Sequence, residues 1–166
     1  MMVTMFGAAV FAALMICAAL GDIRDLQISN RLVLAIVAAF AVFAPFAGVP
    51  LMTVATSLAV ATGVLAVGFV LFALGWMGGG DAKLAATAAL WLGAGHVLPF
   101  VVMTALAGGA LAIAIIGLRS VPIFAFWPEP DWARRLRSGE AGLPYGVAIA
   151  AGALMVLGDT GWAGGF

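Results

Sequence analysis

Six apolar stretches, the fourth of them short, occupy most of this 166-residue chain and dictate its solvent. They run near Val3 to Leu20, Leu32 to Ala47, Leu51 to Trp76, Leu84 to Ala94, Leu98 to Leu118 and Leu143 to Leu157. About 20 apolar residues in a helix cross the hydrocarbon core of a bilayer, and in lipid the backbone must satisfy its own hydrogen bonds, as a helix does. With 66% apolar and 8% charged residues, the chain has too few ionic groups to cover a surface that faces water. The reading is an all-α polytopic membrane protein with six transmembrane helices. Six spans consume roughly 120 residues, so 1–166 reads as one membrane-embedded domain with no soluble domain. Membrane lipid is the implied surrounding. Nucleic acid is excluded as a partner, because seven scattered cations balanced by seven acids make no basic face. A single cysteine, Cys17, excludes an internal disulfide and a cysteine-based zinc site.

The basic residues orient the spans. Arg24 and Arg31 flank the first connection, Lys83 follows the third span, and Arg119, Arg134, Arg135 and Arg137 lie in the connection before the last. With six spans all seven cations fall on one side, which the positive-inside rule makes cytoplasmic. Both termini then lie outside.

Acids at membrane depth are costly, so an acid beside a span is a functional candidate unless water solvates it. Glu129, Asp131 and Glu140 belong to a polar connection, and Asp159 to the outer end. Asp22, Asp25 and Asp81 remain. Asp22 follows the first span and Asp81 the third, so two crossings return the chain to the same cytoplasmic edge, although the two acids are 59 positions apart. Two carboxylates brought close cannot both ionise cheaply; one keeps a proton while the other acts as base on water. Such a pair could hydrolyse a peptide, or relay protons in a small transporter or channel. A relay calls for acids at mid-membrane, whereas these sit at the ends of spans. Plain capping or topological roles are the third reading.

Asp81 ends the run Gly78, Gly79, Gly80, and glycines ahead of an acid let a substrate backbone approach closely. The run lacks the Lys-Ser/Thr of a phosphate loop. Gly78, Gly80 and Asp81 match the GxGD motif of intramembrane aspartic proteases, and the string from Gly78 to Gly93 resembles the prepilin peptidases. In that family an aspartate stands eight residues ahead of an Asn in an Asp-x(5)-Ile-Pro-Asn pattern. Here Asp22 stands eight ahead of Asn30, with Ser29 where the family has Pro. Gly142 to Gly146 resembles the Pro-Tyr-Gly segment that opens the last span of these enzymes. The short form is similar to the subgroup serving tight-adherence (Flp) pili.

The resemblance implies an aspartic endopeptidase of the bacterial cytoplasmic membrane, with Asp22 and Asp81 catalytic at the cytoplasmic face. Its substrates would be prepilin and pseudopilin precursors, cut after Gly while the apolar mature segment is still in the bilayer. No metal or organic cofactor is implied. Bifunctional relatives carry paired cysteines and methylate the new amino terminus, so this chain resembles the cleavage-only type. A non-catalytic component of pilus assembly is the competing reading.

Gly78, Gly80 and Lys83 are the candidate substrate-binding residues. Lys83 could hold the dyad's negative charge or meet a substrate carboxylate, or could serve only as a snorkelling anchor. Asn30 suits an N-cap of the second span. His96 falls in an outer turn, and Trp127 to Arg137 reads as an interfacial aromatic and basic segment. Small residues at helical spacing, Ala55, Ala59 and Gly63 in the third span and Gly142, Gly146 and Ala150 in the sixth, suit close helix packing.

Overall fold

The computed structural model describes residues 1–120, 134 and 143–166. The segment Trp127 to Arg137, apart from Arg134, lies outside the described residues, as does Gly142. The described chain is helical: α1 (Met2–Asp25), α2 (Asn30–Phe46), α3 (Leu51–Ala73), α4 (Gly79–Leu92), a 3₁₀ turn (Ala94–His96), α5 (Val97–Ser120), α6 (Tyr145–Leu157) and a short α7 (Gly161–Gly164). Three stretches, Met2–Asp25, Leu51–Ala73 and Ala94–Gly117, are long and apolar enough to cross a membrane, and α2 and α6 are shorter apolar helices.

Length and burial sort these helices into two kinds. At 1.5 Å per residue the 14 residues of α4 extend about 21 Å, short of the roughly 30 Å hydrocarbon core. Every residue of α4 from Ala86 to Leu92 is buried, and α6 buries eight of its thirteen, whereas the long α3 buries only Ser57 and Gly68. The short helices are therefore central. α4 packs on α2, α3 and α6, and α6 packs on α1, α4 and α5. A helix walled by protein need not match the bilayer thickness that a lipid-facing helix meets.

Small residues make these approaches close. A Cβ on Gly68 would stand 2.8 Å from the Ala82 Cβ, and Gly152 lies directly against Thr104. The expected stripe on α3 is a different matter: Ala55, Ala59 and Gly63 are exposed, and α3 meets α4 instead at Gly68. Helical spacing shows that three small residues share a face without showing which face the neighbour occupies.

Aromatic rings tie one end of the bundle. Trp91 stacks on Phe11 with centroids 5.0 Å apart and meets Trp162 at 4.6 Å. Their indole N–H groups donate to Ile36 O at 3.0 Å and Trp91 O at 2.8 Å, so neither of these two buried ring nitrogens is left unpaired. The end of α4 away from this cluster gathers the C-terminus of α1 and the N-termini of α4 and α6.

Candidate active site

Asp22 lies one turn before the end of α1. The helix stops at Leu26, whose backbone turns left-handed (φ 51°) while its N–H donates to Asp22 O at 2.9 Å. A non-glycine residue in this region costs of order 1 kcal/mol and is uncommon. The Asp22 side chain is buried, and its Oδ2 accepts the Gly146 N–H at 2.7 Å, while the next N–H, that of Val147, donates to Pro144 O at 3.1 Å. The Gly146 N–H belongs to the first turn of α6, where a helical donor lacks a partner within the helix and the dipole presents its positive end. Acid and helix terminus thus satisfy each other. Gly146 is required by contact: a Cβ there would stand 2.8 Å from Oδ2 and 3.0 Å from Cγ of Asp22.

Asp81 sits in the first turn of α4, ahead of the apolar stretch that begins at Leu84. The chain reverses after α3 at Gly75 (φ 74°) and enters α4 through Gly78, whose N–H bonds to the Asp81 carboxylate. A Cβ on Gly78 would lie 2.8 Å from Asp81 Oδ2, and one on Gly80 3.1 Å from the Ile28 Cβ. Gly78 therefore makes room for the acid, and Gly80 lets α4 abut the turn that follows α1. Burial first, and the Asp22 carboxylate second, push the Asp81 carboxyl up to about 6, against the hydrogen bond from Gly78.

The two acids line one open cavity of about 540 Å³, together with Leu26, Gln27, Ile28, Gly78, Gly80 and Tyr145 among others. Carboxylates that feel each other's charge beside water can hold one proton between them, with one group as base and the other as acid. Lys83 is not part of this cavity wall; its Nζ donates to Asn30 Oδ1 at 3.0 Å. The N-cap of α2 is Ser29, whose hydroxyl accepts the Arg31 N–H at 3.2 Å, so Asn30 is the first helical residue rather than the cap. Ser29 has φ −64°, the value a proline would impose, so serine at this position keeps the turn. Asp25 is exposed and does not line this cavity; it borders a neighbouring opening that shares Gln27 and Ile28 with it. His96 lies at the far end of α4, its Nδ1 3.0 Å from Leu92 O.

A model of the type IV leader peptidase family matches residues 9–113, a segment that carries Asp22, the glycine run and Asp81. The chain belongs to the type IV leader peptidase family. Searches of curated proteins and of solved structures give no match. In this leader peptidase the matched segment supplies both carboxylates, while the donors that hold Asp22 come from α6, beyond the match. Sequence reasoning named Gly146 for its resemblance and for packing, and missed that its N–H grips Asp22. Tyr145 and Leu26 were also missed as cavity walls; only the Pro-Tyr-Gly match could have pointed to the former.

The raised Asp81 carboxyl has a consequence for stability. Folding binds the Asp81 proton more tightly than the unfolded chain does, so this contribution is fully present below about pH 4 and is lost as pH rises through about 6. Asp81→Asn, neutral at every pH, should therefore raise Tm in detergent at pH 8 and change it little at pH 4. Equal Tm differences at the two pH values would show that the charge on Asp81 is not held at a cost.

Proposed function

We propose that this family member is an aspartic endopeptidase that removes the leader from prepilin-like precursors, cutting after Gly at the cytoplasmic face of the bacterial inner membrane. The observation that carries the reading is the pair of carboxylates, from the ends of α1 and α4, facing one solvent-open cavity. Asp22, acceptor of the Gly146 N–H, takes a proton from water as the oxygen attacks the scissile carbonyl carbon. Asp81 gives its proton to the departing nitrogen as the C–N bond breaks. The dyad is left with one proton on the opposite acid, and its return to Asp81 resets the site.

Gly78 and Gly80 border the cavity at the height of Asp81 and keep its wall low for an extended substrate backbone. Lys83, bonded to Asn30, joins α4 to α2 near the site and acts on substrate only if that bond opens. The one-sided distribution of Lys and Arg supports six crossings by a single membrane-embedded unit with both termini outside. The position of both acids at helix ends favours hydrolysis over a transmembrane proton relay. One cysteine, exposed on α1, supports cleavage without methylation.

Incubating the purified protein with a prepilin precursor and reading the product by mass spectrometry tests this. Expected is a new amino terminus immediately after Gly, unmodified. An intact precursor would leave the chain a non-catalytic assembly component, and an added 14 Da, about the mass of one methylene, would overturn the cleavage-only reading.

A further inference from the structure

A second cavity, larger than the first, opens between α3 and α5. It encloses about 830 Å³, and apart from Thr104 and Tyr145 its lining side chains are apolar. It exists because α3 leans on α4 while α5 leans on α6, leaving a furrow whose floor includes Ala85 and Ile149. The wall on α3 runs from Val60 to Leu71, about three turns or roughly 16 Å of helix. Gly63 on one wall and Gly109 on the other are bare backbone: a Cβ on either would meet nothing within 4 Å. The furrow adjoins the acidic cavity: Met77 and Tyr145 stand in the walls of both. The Tyr145 ring is held against Gly108 at this junction, 3.5 Å from where a Cβ would stand.

We propose that this furrow seats the apolar membrane helix of the precursor, with Met77 and Tyr145 as the threshold at which that helix must unwind to reach the carboxylates. The proposal rests on the peptidase reading above and names how that site receives its substrate. Three observations select a helix as the occupant. A lipid tail packs on any apolar wall and gains nothing from glycine, whereas glycines on facing walls let a helix backbone approach closely. At Met77 and Tyr145 the furrow borders the cavity that holds the acids, so an occupant lying along it reaches their edge. Its polarity changes at the threshold, from apolar walls to the carboxylates and Gln27, which is the pattern of an apolar segment joined to a polar leader. A peptide bond inside a helix has its carbonyl bonded and shielded, so the bond to be cut must lie beyond Tyr145, in extended chain.

The test is site-specific photocrosslinking in membranes. A benzophenone amino acid replaces Val67, in the furrow, or Leu34, exposed on α2, in an Asp81→Asn background that slows turnover. Expected is a covalent adduct with a prepilin precursor from position 67 and none from position 34. Adducts with lipid alone, with a second copy of the chain, or equally from both positions would overturn the proposal. In parallel, Gly63→Trp should raise KM for the precursor at least about tenfold, equivalent to about 1.4 kcal/mol, with Leu34→Trp unchanged. An unchanged KM for Gly63→Trp also overturns it. Crosslinking needs no cleavage, so the two readings fail separately: an adduct without processing by the unaltered protein sinks the peptidase, and processing without an adduct at position 67 sinks the furrow.

Discussion

Asp22→Asn and Asp81→Asn are each expected to lower turnover of a prepilin precursor by at least about a hundredfold, the low end of general acid and base contributions. The amide keeps the size of the carboxylate while losing the ability to cycle a proton. At Asp22 the remaining carbonyl can still accept the Gly146 N–H, so the fold at that helix end survives. At Asp81 the change removes a charge held at a cost, so the protein stays inserted and folded. Asp25→Asn should keep most of its activity, because Asp25 is exposed and outside the cavity that holds the other two. Initial rates in detergent, alongside size-exclusion profiles and helical content, decide the matter. If Asp25→Asn is inactive while Asp22→Asn is active, the pairing of Asp22 with Asp81 is wrong. If all three remain active, the aspartic mechanism is wrong.

Gly146→Ala should be nearly as damaging although it removes no ionisable group. The added Cβ would stand 2.8 Å from Oδ2 and 3.1 Å from Cβ of Asp22, so the carboxylate must swing away from the α6 terminus. A displacement of about 1 Å in a reacting group can cost about a hundredfold in rate. Gly146 is a positioning residue, acting through Asp22, so the loss should fall on kcat, with KM for the precursor and Tm close to those of the unaltered protein. Gly158→Ala, at the other end of α6 where a Cβ meets nothing, is the matched control. Loss of Tm in proportion to activity for Gly146→Ala would assign it to packing instead.

Much of this architecture is legible in the chain because lipid leaves a helix few alternatives. The six apolar stretches coincide with α1 to α6, with ends displaced by several residues at Asp25 and Gly79, since polar residues at an aqueous edge extend a helix that hydropathy would end. The two acids could be named from the sequence as candidates, and the structure brings both to one cavity. Asp22 and Asp81 were selected by their position at the ends of apolar stretches and by resemblance to a family, and membership of the type IV leader peptidase family rests on the residues that contain them.

Hydropathy could not rank the helices by depth. α4 is less apolar than α3, yet with α6 it forms the centre, because which helix is walled by others depends on the faces that its neighbours present. The stripe of Ala55, Ala59 and Gly63 shares one face by periodicity, but only packing turned that face outward and gave Gly63 to a furrow.

The sequence by itself determined the solvent and the helical class and offered the two acids as candidates, since composition, apolar run length and local motifs are properties of contiguous residues. Tertiary structure decided what surrounds those acids. The Gly146 N–H reaches Asp22 across 124 positions, and the Lys83 ammonium turns to Asn30 across 53. A hydrogen bond has a range of about 3 Å, so its partner is chosen by the packing of whole helices, which no local spacing records.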